Sequence, residues 1–219
     1  TTGTYLIDAR HKVPVVSVVV DPYELWNEEN GMLAAGPDMV KPGPGILPFK
    51  NTVYREFGKE PREGYMEYFD ENGQLVLSQG VAIGLIGDYS LDLPQKSMKL
   101  RAKSLYGEKT FAAALFEDRP YTEYKSVVLR NCGNDGVWSR VRDGFQSRLL
   151  DTYNTQVIHQ AWKPVAVYLN GEYWGHYNLR ERVDRFFIAQ HEGLTLDQAD
   201  DMDILVGSGS VEYGSGAEY

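Results

Sequence analysis

Gly84, Gly87, Ser90 and Lys96 are residues of this chain whose types and order suit one kind of chemistry, the holding of a phosphate group, with Glu181 as an acid that could pair with the lysine. Gly84, Gly87 and Ser90 fall in the short run IGLIGDYS. Backbone amides of such a turn can cradle phosphate oxygens, because glycine lets the backbone approach closely. Lys96 follows a few positions on as a charge partner. Arg130, Arg142, Arg180 and Arg182 carry planar guanidinium forks that match phosphate bidentately. Each of these residues also has a structural reading. Gly84 and Gly87 can mark a bulge or a close strand contact. Lys96 can be a solvated lysine and the arginines surface ion pairs. Glu181 can be an acid in a helix first turn, where the dipole favours it.

Other chemistries find less support. His11, His159, His176 and His191 show no metal-ligand spacing, and the chain contains no cysteine pair, no His-Glu-x-x-His and no dense Asp/Asn calcium loop. Neither a Gly-x-Ser-x-Gly elbow nor a Walker sequence is present. Asp200, Asp201 and Asp203 form a small acidic cluster that reads as solvated. Cys132 is the single cysteine and reads as a small buried hydrophobe.

The elements that must position these residues are mostly strands. Val165 to Tyr177 is an apolar and aromatic run interrupted by Asn170-Gly171, the strongest short-range signal for a tight hairpin. A helix is expected from about Glu181 to His191, with Val183, Phe186 and Phe187 on one face and Gly193 as its stop. Tyr5 to Ile7, Val13 to Val20, Val81 to Ile86, Met98 to Leu100 and Lys125 to Arg130 read as further strands, and EYFDENGQLVL as a second Asn-Gly hairpin. Asp21-Pro22 is a turn signal before a short helical turn at Tyr23 to Trp26. In Trp138 to Leu150 the spacing of Val141, Phe145 and Leu149 predicts a helix, with Asp135 upstream where a cap belongs. Gly31 to Leu47 reads as a long irregular loop, and VGSGSVEYGSGAEY as loop or linker. Strands early and helices late give an α+β class.

The chain's 219 residues suffice for one domain with a real core, and 42 % hydrophobic content argues against wholesale disorder. A net charge of −9 argues against nonspecific nucleic-acid or anionic-membrane binding. No apolar run is long enough to span a bilayer. Fifteen tyrosines and four tryptophans would suit a peptide or glycan surface where exposed, and a core where not.

Four segments together resemble the spore coat protein H family, the CotH kinases. They are HKVPVVSVVVDPYELWNEENGML, VAIGLIGDYSLDLPQKSMKLRAKSLYG, KSVVLRNCGNDGVWSRVRDGF and VAVYLNGEYWGHYNLRERVDRFF, in the family's order and over almost the whole chain. The resemblance implies an atypical protein kinase, or its N-terminal part, whose strand-rich region is similar to the N lobe of a protein-kinase-like fold. It implies transfer of the γ-phosphoryl group of ATP, with Mg²⁺, to Ser or Thr of a partner protein. Lys96 would bind phosphate, Glu181 would orient Lys96 or reach metal, and Gly87 to Ser90 would cover the phosphates. No catalytic base or metal ligand is assigned within the chain. The family's Asn-x-Asp segment is expected after Tyr219, and residues 1–10 are expected to be the tail of an upstream β module. An extracellular, cell-surface or spore-coat setting is implied. The alternative is a non-catalytic structural or interaction module of a secreted or surface protein.

Overall fold

A computed structural model describes residues 3–7, 10–41, 43, 49–153, 155–207 and 209–214. Its strands are β1 (Val15–Val20), β2 (Arg62–Phe69), β3 (Leu75–Leu85), β4 (Met98–Arg101), β5 (Phe111–Ala112), β6 (Glu123–Tyr124), β7 (Ser126–Arg130), β8 (Trp162–Leu169), β9 (Glu172–Glu181), β10 (Ile204–Val206) and β11 (Ser210–Tyr213). Its helices are α1 (Pro22–Trp26), α2 (Val53–Glu56), α3 (Arg142–Thr152), α4 (Arg185–Glu192) and α5 (Leu196–Asp200). The class is α+β.

Seven strands close into a barrel in the order β1-β2-β3-β4-β7-β9-β8. Every pairing is antiparallel except β1 with β8, which closes the ring in parallel. Closure leaves no strand edge exposed for foreign pairing. Alternate residues point inward, so Val16, Val18, Met66, Ile83, Met98, Leu100, Leu129, Val165 and Leu179 fill the interior with no exposed surface.

The Asn170-Gly171 turn forms as its sequence demands. Both residues have positive φ, 51° and 84°, which suits a primed two-residue hairpin turn. Asn170 also knits the turn to the end of β1. Its Oδ1 accepts from the Val20 N–H at 2.8 Å, and its Nδ2 donates to the Val20 carbonyl at 2.9 Å. The second Asn-Gly hairpin joins β2 to β3 through Asp70, whose carboxylate accepts from the Asn72 and Gln74 N–H groups.

Several expectations need correction. Glu181 does not open a helix. It ends β9, and α4 begins at Arg185, where Asp184 caps the Phe186 and Phe187 N–H groups. Tyr5 to Ile7 is not a strand, and Tyr5 and Ile7 are exposed. The Gly/Ser-rich segment near the C-terminus is not wholly a linker, because β10 and β11 pair as a hairpin; residues 208 and 215–219 lie outside the described set, as do 42 and 44–48 of the Gly31 to Leu47 loop.

Helix α3 forms, but the Val141, Phe145 and Leu149 stripe faces outward, with Phe145 57 % exposed. The helix docks instead through its small residues. Gly144 lies so close to the Trp162 ring that a Cβ would sit 2.6 Å from it, and Ser147 is buried beside it. A small-residue face wins here because it allows the closest approach to β8.

Candidate functional site

Register places the chain's basic residues on one outer face of the barrel. Lys99 of β4 stands opposite Val128 of β7, and Val128 stands opposite Arg180 of β9. Residues in register share a face, and residues two apart on a strand share it too. Arg101 and Arg130 therefore join Lys99 and Arg180, and Arg182 follows beyond the strand end. The intervening Met98, Leu129 and Leu179 point inward and carry no exposed surface.

Helix α3 brings Asp143 to this basic face. One oxygen of Asp143, Oδ2, accepts from Arg130 Nε and from Arg180 Nη1, the latter at 3.0 Å. Arg180 Nη2 donates to Ser147 Oγ at 3.2 Å. The remaining donor, Arg180 Nε, is buried and has no partner among the described residues. Arg180 is only 8 % exposed. Burial lowers its pKa below the ordinary arginine value, against the pull of Asp143. Lys99 is lowered as well, first by burial and then by repulsion from Arg182, Arg101 and Lys103. Among the described residues, Asp143 is the carboxylate that ion-pairs with this set.

Two hollows meet at Gly87, Arg130 and Asp143. One, of about 510 Å³, also takes in Ser90, Cys132, Asp135, Trp138 and Arg142. The other, of about 450 Å³, takes in Ser97, Arg180, Arg182, Ile204 and Glu212. Volumes of this size suit small-molecule clefts. Gly87 has φ +126°, and a Cβ there would lie 2.6 Å from Ser90 Oγ, so glycine is required at this turn. Asp92 pins the turn from behind. It accepts from the Phe49 N–H, the Tyr54 hydroxyl and Arg55. Asp135 organises the entry to α3 by accepting from the Ser139, Val141 and Arg142 N–H groups.

Of the residues expected from sequence, Gly87 and Ser90 therefore lie at the cleft, and Arg130, Arg142, Arg180 and Arg182 line it. The other three stand elsewhere. Gly84 is explained by close backbone approach, since a Cβ would meet the Lys59 carbonyl at 2.9 Å. Lys96 is turned inward. Its ammonium donates to the Leu91 carbonyl at 2.7 Å and the Leu93 carbonyl at 3.2 Å, and sits 3.9 Å from the centre of the Tyr54 ring. Burial pushes its pKa down to about 8. Glu181 also faces inward. It accepts from Arg119 Nε at 2.9 Å, the Ala161 N–H at 2.7 Å and the Tyr121 hydroxyl. Burial favours its neutral form, but hydrogen bonds from His191, Tyr121 and Ala161 and the Arg119 charge hold its pKa below the ordinary value.

The expected Lys96–Glu181 ion pair is not formed. Glu181 shares a row with Val127 and Leu100, while Lys96 lies four residues before Leu100. No ion pair joins the two among the described residues, and each partner is satisfied by other groups.

Lys99 and Asp143 were not singled out from sequence. The signal that could have found them is alternation, since Lys99/Arg101 and Arg180/Arg182 each place charge on one strand face. Among the described residues no group of three or more His, Cys, Asp or Glu side chains is placed to hold a metal ion. The guanidinium groups lining the two hollows are of a type that meets phosphate oxygens, and among the described residues no cluster of carboxylates for a metal ion accompanies them. Among the described residues no helix is long and apolar enough to cross a membrane.

Comparison with known proteins gives one family. A model of the family described as CotH kinase protein matches residues 83–209, more than half of the chain. The matched span runs from β3 through the Gly87 turn, the basic strand face, α3 and the hairpin to the β10–β11 turn. No curated protein matches the chain.

Proposed function

The chain belongs to the CotH kinase family, and from that premise we propose that it holds the triphosphate of ATP in the cleft between the Gly87 to Ser90 turn and the basic face of β4, β7 and β9. The reaction proposed is transfer of the γ-phosphoryl group to a Ser or Thr hydroxyl of a partner protein. The acceptor hydroxyl gives its proton to water as its oxygen bonds to the γ-phosphorus, the bond from that phosphorus to the bridging oxygen breaks, and ADP leaves with the electron pair. In this reading the barrel does the work of a nucleotide-holding lobe. Gly87 lets backbone amides approach phosphate oxygens, and the guanidinium groups neutralise charge and fix the phosphates in place. Lys96 and Glu181 act from behind. Lys96 holds the Leu91 and Leu93 carbonyls at the end of the 89–92 turn, and Glu181 anchors the strand end that carries Arg180 and Arg182. Mg²⁺, when bound with the nucleotide, would spread charge across the phosphate oxygens. No described residue is assigned as the base that takes the acceptor proton. A spore-coat or surface setting, with a protein acceptor, belongs to the same proposal.

The observation that carries this reading is a cluster of guanidinium groups lining a cleft under a glycine turn, in a chain of net charge −9. Calorimetric titration of Mg-ATP tests it. Saturable heat is expected, and the absence of heat or thermal shift at millimolar nucleotide would remove it. A second reading, a non-catalytic interaction module, draws on the exposed apolar groups of α3 and the turn before it, where Phe145 is 57 % and Trp138 73 % exposed. It predicts no nucleotide binding.

A further inference from the structure

We propose that phosphate recognition in this domain is built on Arg130, Arg180 and Arg182, with the carboxylate of Asp143 standing in the place a phosphate oxygen would take. The inference rests on the phosphate-holding reading above and assigns its ligands. The class of ligand is a polyphosphate chain, free or as part of a nucleotide.

Three observations carry it. First, two guanidinium groups converge on a single carboxylate oxygen, Asp143 Oδ2. Each guanidinium gives one charge-assisted N–H, so charge from two strands is focused on a single acceptor position, which a phosphate oxygen would suit. Second, Arg180 lines the 450 Å³ hollow while only 8 % exposed, so its charge is held at the wall rather than dispersed into solvent. An anion entering the hollow would meet Arg180 through Nη1, the donor that Asp143 now holds. Third, the charge there does not cancel. Arg130, Arg180 and Arg182 line the hollow against Asp143 and the exposed Glu212 of β11, with Lys99 adjacent on the same face.

Asp143 has the geometry of a displaceable anion. It sits in the first turn of α3 and is partly exposed, with 24 % of its side chain open to solvent. A phosphate group carries more charge and more acceptor oxygens than a carboxylate. It can take the Arg130 and Arg180 donors that now hold Asp143, while Asp143 turns to solvent. Because guanidinium groups supply the neutralising charge, binding of a bare polyphosphate needs no Mg²⁺.

The test is calorimetry on the chain with sodium tripolyphosphate in EDTA, run beside Mg-ATP. Thermal melts establish that each variant is folded. Arg180→Gln is avoided because it leaves a buried hole; Arg130→Gln and Arg182→Gln remove more open groups. Each should weaken tripolyphosphate binding about tenfold, the loss of one charge-assisted hydrogen bond. Asp143→Asn should tighten it by a similar factor. No binding of tripolyphosphate, or equal affinity in the folded arginine variants, overturns the assignment. Loss of Mg-ATP binding in Lys96→Met but not in the arginine variants overturns it too, while leaving the kinase reading intact. Arginine-dependent binding of tripolyphosphate without any binding of Mg-ATP supports the assignment and removes the kinase reading.

Discussion

Replacing Lys96 by Met should change how stability responds to alkaline pH while changing stability itself very little at neutral pH. The folded chain holds the Lys96 ammonium at a pKa of about 8, against an ordinary value of 10.5. That difference corresponds to a cost of roughly 3 kcal/mol for burying the charge. Below pH 8 both the folded and the unfolded lysine are protonated, so the whole cost is present and does not vary. Between 8 and 10.5 the folded lysine is neutral while the unfolded one keeps its proton. The unfolded state then binds more protons, and stability rises with pH. Between neutral pH and about pH 9.5 this amounts to about 2 kcal/mol. Lys96→Met removes that rise. At neutral pH it also recovers the roughly 3 kcal/mol, but it forfeits two hydrogen bonds of about 1 kcal/mol each and a cation–π contact of about 1 kcal/mol. The net change should lie within about 1 kcal/mol. Urea denaturation of both proteins at neutral pH and at about pH 9.5 reads the difference directly, because titrations common to both cancel. A mutant that keeps the full alkaline rise would refute the assignment of Lys96 as a buried cation tied to the Leu91 and Leu93 carbonyls. So would one that loses far more than about 1 kcal/mol at neutral pH.

Glu181→Gln leaves the buried Arg119 guanidinium without its carboxylate and should cost about 3 kcal/mol by urea denaturation; a change near zero would contradict the buried pair. The Glu181 pKa lies below its ordinary 4.5, so its contribution is present above that value and is lost as pH falls through the folded value; the variant should flatten this acid limb. Asn170→Ala keeps a positive φ without the two bonds to Val20 and should cost roughly 3 kcal/mol in thermal or urea unfolding, while a loss near zero would mean the turn is not tied to β1. The double change Phe145→Ser with Leu149→Ser should move stability by less than about 1 kcal/mol, because both residues are open to solvent; a drop above about 2 kcal/mol would show that this face is covered.

Elements whose conformation depends on their own residues are legible from local signals. Asn170 and Gly171 tolerate positive φ, so the hairpin between β8 and β9 was legible, and Gly193 ended α4 for the same reason. Helix α3 was legible from its spacing, but its orientation was not. The apolar stripe at Val141, Phe145 and Leu149 suggested a buried face, whereas close contact between Gly144 and Trp162 decided the packing. Glu181 looked like a helix opener because a charged amphipathic run follows it. Its burial against Ala161 and Arg119 depends on partners far along the chain. At the cleft, Gly87, Ser90 and the four arginines were each visible as types able to meet phosphate. What brings them together is the long-range register of β4, β7 and β9, and no local pattern encodes it. The same register separates Lys96 from Glu181, a pairing that resemblance alone had suggested.

The most direct test of the cleft as the phosphate site is a nitrogen-resolved NMR spectrum covering backbone amides and arginine Nε–H groups, recorded during titration with Mg-ATP. The Nε–H signals of Arg130, Arg180 and Arg182 should move, together with the Gly87 amide, while the amides of Leu91 and Lys96 stay in place. Saturable shifts confined to the Lys96 region, with all three arginine signals unmoved, would contradict the central claim.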